Sequence, residues 1–184
     1  MAERPFNALT LAALLLLSAC SQGETDDAAS VPAAATPPAP AIQAAPAAAA
    51  PANLTLLNAY LAAWNEHDAD KAGGFLAEDV QYFDAAFAGM QQGRQATVEN
   101  GIRVFLRGVP DLRWEIRSEP VVGIDAVAYE WTFTGTNTGT WGGIPATRQS
   151  INLKGMGLVR IRDGKIVYQA VFYDSATLNR QLGL

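Results

Sequence analysis

Past residue 111 the apolar residues of this chain stop recurring every third or fourth position and begin to alternate every second one, and this change of period constrains the fold most. Upstream, Leu54, Leu57, Tyr60, Leu61 and Trp64 share one helical stripe, which predicts a helix over 54–66 with one buried face. Asp68 suits the N-cap of a short second helix running toward Leu76. Val80 to Asp84 reads as a strand. Gly93 precedes a third helix, Gln95 to Leu106, closed by Gly108 and Pro110. Downstream, the segments 112–122, 126–137, 147–161 and 165–173 are rich in Val, Ile, Thr and aromatics and read as strands. They are separated by Gly123-Ile124-Asp125, by Gly139 to Pro145, and by the hairpin signal Asp163-Gly164. Ser175 to Gln181 predicts a last short helix.

Helices first and a long antiparallel meander afterwards is an α+β order, with a curved sheet packed by helices on one face. In 126–137 the large residues Val127, Tyr129, Trp131 and Phe133 fall on one side, and Glu130, Thr132 and Thr134 on the other. The expected architecture is a cone-shaped curved antiparallel sheet packed on three N-terminal helices, with a short C-terminal helix. A strongly curved sheet of this kind leaves a conical cavity at its open end, and an apolar cavity is the default ligand site.

The chain before this domain has another character. Arg4 in a short polar start, the apolar run Ala8 to Leu17 and the small residues after it read as a signal peptide over 1–19, too short to span a bilayer. Its end, Leu17-Ser18-Ala19-Cys20, resembles the lipobox of bacterial lipoproteins, in which the cysteine receives diacylglycerol. Cys20 is the only cysteine, so an exported chain of this sequence has no internal disulfide to make with it. At about 0.8 kcal/mol per buried CH₂, two acyl chains give lasting membrane attachment. The expected location is therefore the cell envelope, with the domain facing the periplasm or cell exterior. Ser21 after the cysteine favours the outer membrane where the cell has one. Residues 20–52 form the lipidated cysteine and an Ala/Pro-rich tether, whose prolines at 32, 37, 38, 40, 46 and 51 favour an extended spacer reaching up to roughly 100 Å.

The domain itself, 53–184, carries twelve basic and fourteen acidic side chains with no basic stripe, which argues against nucleic acid as a partner. It holds no glycine-rich phosphate loop and no nucleophile elbow. His67 is the sole histidine, so no metal site is expected, and no cofactor motif is present.

Five pieces in order carry a family likeness: Trp64-Asn65-Glu66-His67-Asp68, the run 109–113 (Val-Pro-Asp-Leu-Arg), the segment 131–139 with Gly143-Ile144-Pro145, the hairpin 162–166 (Arg-Asp-Gly-Lys-Ile), and the closing Gln181-Leu182-Gly183-Leu184. Together they resemble the SnoaL-like polyketide cyclase family, within the wider nuclear-transport-factor-2-like fold, across essentially all of 53–184. The resemblance implies a cone-shaped domain, commonly a homodimer through its sheet, with a hydrophobic pocket. It also implies cofactor-free chemistry in which a pocket Asp serves as acid/base for an intramolecular aldol closure, its carboxyl raised by burial toward the working range. The position matching the family's closing Asp is Asp174, after Val171-Phe172-Tyr173. An Asp before Ser-Ala-Thr-Leu is equally what a helix N-cap looks like.

Asn137 stands where many relatives carry a pocket His, and Asn hydrogen-bonds a carbonyl without shuttling a proton near neutral pH. Tyr168 and Ala170 stand where the closing strand of relatives often has an acidic residue and a Trp. Tyr82, Trp114, Tyr129, Trp131, Phe133 and Phe172 are the expected pocket lining, although aromatics at strand spacing also make plain core. His67 reads as a structural group in the bend between two helices. Asp84 and Arg160 are polar strand positions that an ion pair or a solvated face also explains. Three functions follow as alternatives: a membrane-anchored module binding a small hydrophobic molecule, a cyclase or isomerase using Asp174, and an envelope protein-interaction module.

Overall fold

The computed structural model describes residues 49–85 and 89–184. The signal peptide, Cys20 and nearly all of the tether lie outside them. Helix α1 (Ala49–Asn65) begins inside the segment read as tether, with Pro51 in its first turn, where a missing N–H removes no helical bond. Its buried stripe is Leu57, Tyr60, Leu61 and Trp64. The helix ends in a Schellman arrangement: the His67 amide donates to Trp64 O at 3.0 Å and the Asp68 amide to Ala63 O at 3.1 Å, with His67 left-handed at φ 60°. Its imidazole Nε2 lies 3.0 Å from Leu112 O. The sole histidine thus closes a helix.

Asp68 caps α2 (Ala69–Gly73) by accepting from the Lys71 amide at 2.9 Å. Gly73 and Gly74 stop that helix short of Leu76, which opens strand β1 (Leu76–Asp84) instead. After β2 (Met90–Gln92), one continuous helix runs as α3 (Arg94–Ala96), a π-helical stretch at Thr97–Ile102 and α4 (Arg103–Gly108). Two strands replace the single one expected over 112–122: β3 (Arg113–Ile116) and β4 (Val121–Val122). They break at Ser118-Glu119-Pro120, because a proline donates nothing to a ladder. Then come β5 (Ala126–Thr136), β6 (Ser150–Arg162), β7 (Lys165–Tyr173) and α5 (Ser175–Leu182).

The sheet order is β2-β1-β7-β6-β5-β3, with β4 also on β5. All pairs are antiparallel except β1 with β7, which run parallel. The expectation of a wholly antiparallel sheet is corrected there, since a parallel pair needs a long crossover and the whole domain between the two strands supplies it. Register irregularities in β1 and at Arg160/Ile161 mark where strands bend. Among the described residues no helix is long and apolar enough to cross a membrane.

Strand alternation sorts the sheet into two faces. On the inner face the register aligns Tyr82, Gln169, Val159 and Val127 in one row, and Asp84, Val171, Gly157 and Tyr129 in the next. Tyr173, Gly155, Trp131 and Ile116 form a third row, and Leu153, Phe133 and Trp114 a fourth. Gly157 and Gly155 let two large rings lie down across β6. A Cβ on Gly157 would meet the Tyr129 ring at 2.4 Å, and one on Gly155 would meet both the Trp131 ring and Phe172 O at 2.3 Å.

Helix α1 covers this face and is tied to it by Asn65, which behaves as a strand partner. Its Oδ1 accepts from the Trp114 amide at 2.8 Å, and its Nδ2 donates to Trp114 O at 2.9 Å.

Candidate functional site

The inner face and the helices enclose an aromatic chamber. Trp64 comes from α1 and Phe105 from α4; Trp114, Trp131 and Phe133 come from β3 and β5; Trp141 reaches in from the turn between β5 and β6. Tyr82, Asp84, Leu153, Val171 and Tyr173 complete the wall. The rings meet mostly edge to face: Trp64 and Trp114 at 5.1 Å and 84°, Trp114 and Trp131 at 5.7 Å and 77°. All four tryptophans of the chain line this one space.

The cone is not the open cavity expected from the sequence. About 20 Å³ remains free inside it, the room of about one water molecule. Trp131, laid over Gly155, and Trp141, inserted from the turn, occupy the volume a curved sheet would otherwise leave empty.

One charged group lies inside. Asp84 is 2% exposed, and both of its oxygens accept from tyrosines: Tyr82 Oη to Oδ2 at 3.3 Å and Tyr173 Oη to Oδ1 at 2.8 Å. Burial, and then the neighbouring Asp84 charge, push the Tyr82 hydroxyl well above the ordinary phenol range, so it stays a proton donor. Deeper in the core the Tyr60 hydroxyl donates to Gln169 Oε1 at 2.8 Å, and burial raises Tyr60 and Tyr129 as well. The indole N–H groups of Trp114, Trp131 and Trp141 are buried and have no acceptor among the described residues. The chamber therefore combines aromatic walls, one carboxylate and several donors that lack acceptors.

Four of the expected lining residues do line the chamber: Tyr82, Trp114, Trp131 and Phe133. Three do not. Tyr129 is buried one row deeper, over Gly157. Phe172 alternates onto the outer face, 50% exposed, with its ring 5.5 Å from Phe83. Asn137 is fully buried but wholly engaged in a clamp: Nδ2 donates to Gly139 O at 2.7 Å and Gly108 O at 3.3 Å, while Oδ1 accepts from the Thr147 amide and hydroxyl, each at 2.9 Å. That leaves it nothing to offer a ligand.

Asp174 also stands away from the chamber. It is the N-cap of α5: Oδ1 accepts from the Ala176 amide at 3.0 Å, and Oδ2 accepts from the Thr177 hydroxyl. The Thr177 bond first, with the Ala176 amide and nearby Arg180, holds its carboxyl below the usual carboxylate range against a smaller desolvation effect. A carboxylate stabilised in its charged form is the opposite of the raised acid/base the family resemblance implies. Because the folded pKa is depressed, the cap stabilises above the ordinary carboxyl pKa of about 3.9 and is lost as pH falls through the folded value. Asp174→Ala is expected to lower the melting temperature by a few degrees at pH 7, by less in acid, while Asp174→Asn retains most of the cap; calorimetry against pH checks this.

Arg160 lies on the outer face, its guanidinium 5.9 Å from the Tyr168 ring centre. The chamber residues missed by sequence reasoning are Trp141, Phe105, Leu153, Val171 and Tyr173, together with Trp64, which the periodicity marks only as part of a helix's buried stripe. Trp141 sits in a Gly-rich turn with no periodicity to mark it; its only signal is a Trp amid glycines.

The chain's likenesses agree with this architecture. Among curated proteins no sequence matches it. A SnoaL-like protein from Jannaschia sp. CCS1 superimposes with a TM-score of 0.67 at 15% identity, over 74% of this chain and 95% of that one. TsrD from Streptomyces laurentii gives 0.62 at 26% identity, over 72% and 96%. TerC, crystallised with polyporic acid, gives 0.59 at 17% identity, over 72% and 99%. The family model described as SnoaL-like polyketide cyclase matches residues 54–182, and the chain belongs to that family.

Proposed function

We propose that this protein is a SnoaL-like domain that binds a small hydrophobic ligand in its aromatic chamber while a lipid on Cys20 holds it at the cell envelope. The observation that carries the binding is the chamber's excess of donors. A buried N–H without an acceptor costs about 1–3 kcal/mol, and the chamber indoles of Trp114, Trp131 and Trp141 are in that state, so a guest bearing an acceptor removes a cost the fold otherwise carries. With about 20 Å³ free, the guest enters by parting the rings. A relative of the same fold crystallised with polyporic acid is consistent with an aromatic guest. The lipobox-like Leu17-Ser18-Ala19-Cys20 supports the anchor. Native mass spectrometry of the full chain, released from its own membrane in mild detergent, is expected to find a bound small molecule and a diacylglyceryl mass on Cys20. Bare protein with a free thiol contradicts both halves.

A second reading is enzymatic, favoured by the burial of Asp84 between two tyrosine hydroxyls. In it Asp84, not Asp174, takes a proton from a carbon beside a carbonyl. Asp84→Asn should then lower kcat by at least 10²-fold, the contribution of a positioned base, whereas Asp174→Asn leaves it unchanged.

The outer face supports self-association. Met90, Phe83, Ala170, Leu158, Ala128 and Val121 are successive cross-strand neighbours, with Phe172 and Met156 in the adjoining row. Met156 is 54% and Val121 75% exposed. A two-fold-related copy of the chain matches such an apolar band with its own. Met156→Glu with Phe172→Glu is expected to shift the protein to a monomer in analytical ultracentrifugation with the fold retained.

A further inference from the structure

Among the described residues Trp141 is the one ring of the chamber supplied by neither a helix nor a strand of the sheet. It stands between Gly139-Thr140 and Gly142-Gly143, its backbone paired only with Ile144: amide to Ile144 O at 2.9 Å, and carbonyl to the Ile144 amide at 2.7 Å. The indole is nevertheless 1% exposed. It slots between an aromatic of the helix and one of the sheet, 4.7 Å from Phe105 at 51° and 6.2 Å from Phe133 at 26°.

The turn is fixed at its root and free at its tip. At the root, the Thr138 and Gly139 amides both donate to Gly108 O at 3.0 Å, and Asn137 clamps the two sides. A Cβ at Gly139 would sit 2.1 Å from Arg107 O, so there the root packs backbone against backbone, and one at Gly108 would sit 2.4 Å from Trp141 Cβ, so the inserted side chain starts directly over the helix end. At the tip, a Cβ at Gly143 would meet nothing within 4 Å. The indole can therefore swing about the tip without breaking a bond of the long strands. Its N–H, having no acceptor inside, loses no hydrogen bond on leaving and gains one in water.

We propose that Trp141 is a built-in occupant of the chamber: its indole keeps the place of a planar aromatic ligand, which binds by displacing it outward, and the turn 138–144 is the gate. This rests on the chamber being a ligand site and names its guest as a flat ring system of about indole's size, with an acceptor for the N–H groups of Trp114 and Trp131. Displacement lowers the wild type's apparent affinity by the fraction of time the gate is shut.

The test uses indole as the probe and the full chain labelled with 5-fluorotryptophan, whose four ¹⁹F signals are assigned by the loss of one in Trp141→Phe. On saturation the Trp141 signal is expected to move to a solvent-exposed shift and to acquire a D₂O isotope effect, while the other three stay buried. Trp141→Ala, with nothing to displace, should bind indole at least tenfold more tightly than wild type. Leu153→Ala, which enlarges the same chamber without touching the gate, should not. Binding with Trp141 still buried, weaker binding by Trp141→Ala, or binding by that variant alone overturns the gate and leaves the ligand reading standing. No binding by either protein overturns gate and slot together, and the ligand reading then falls or stands by the molecule recovered from the native membrane, a result independent of Trp141.

Discussion

Gly155→Ala is expected to lower the melting temperature by roughly 10 °C, equivalent to about 3 kcal/mol in a domain of this size. The added methyl would sit 2.3 Å from Phe172 O on the neighbouring strand and 2.3 Å from the Trp131 ring. The ring can tilt, but the carbonyl belongs to the β6–β7 ladder and moves only if the ladder does. Gly157→Ala is the internal comparison. The three atoms nearest its methyl all belong to the far end of the Tyr129 side chain, the first at 2.4 Å, so the strain is relieved by a ring shift and the loss should be smaller. Thermal unfolding of the two variants side by side checks the order. Equal, slight effects would mean that the rings do not lie flat on β6, and the account of why the cone is full would fail with them.

The second large effect is expected at Asn137. Asn137→Ala should cost about 2 kcal/mol, because it leaves the part-buried Thr147 amide and Gly139 carbonyl without their partners, at about 1 kcal/mol each, the low end of the range for an orphaned group. The same side chain holds the root of the Trp141 turn against Gly108. Amide hydrogen exchange should therefore speed up at Thr147 and through 138–144, with β6 and β7 protected as before. Unchanged exchange in the turn would show that its backbone contacts at Gly108 suffice to hold it.

Most of the architecture was legible because it is written in local periodicity. Val127, Tyr129, Trp131 and Phe133 share the inner face as their alternation requires, and the long strands end within a few residues of where the pattern ends. What could not be read locally was pairing. Nothing in Leu76–Asp84 says that it will lie parallel to a strand some ninety residues later, and the break at Pro120 is visible only once both strands must meet β5.

The site was half legible for a related reason. Tyr82 and Asp84 are two apart on one strand, so they had to share a face; that the face is the buried one depends on Trp64, Phe105 and Trp141 packing over it from the helices and the turn, and an isolated strand sequence leaves Asp84 looking like a surface acid. Phe172 shows the converse. Its aromatic character points inward, but Val171 and Tyr173 take the inner positions and alternation sends Phe172 out. At Asp174 the same letters spell a helix cap and a family motif, and only the direction of the carboxylate separates them. Trp141 lies in a turn, where no period exists to assign a side chain to the core.

The indole region of a ¹H–¹⁵N correlation spectrum tests the central claim most directly, since the four tryptophans of the chain all line the chamber. Spectra are compared for the protein as purified from its membrane and after its small molecules are stripped by unfolding and refolding. The account predicts that the N–H signals of Trp114 and Trp131 shift upfield on stripping, as they lose an acceptor, and return when the extracted molecule is added back. Indole signals identical in both states, with the backbone spectrum also unchanged, would contradict it and make the chamber plain hydrophobic core.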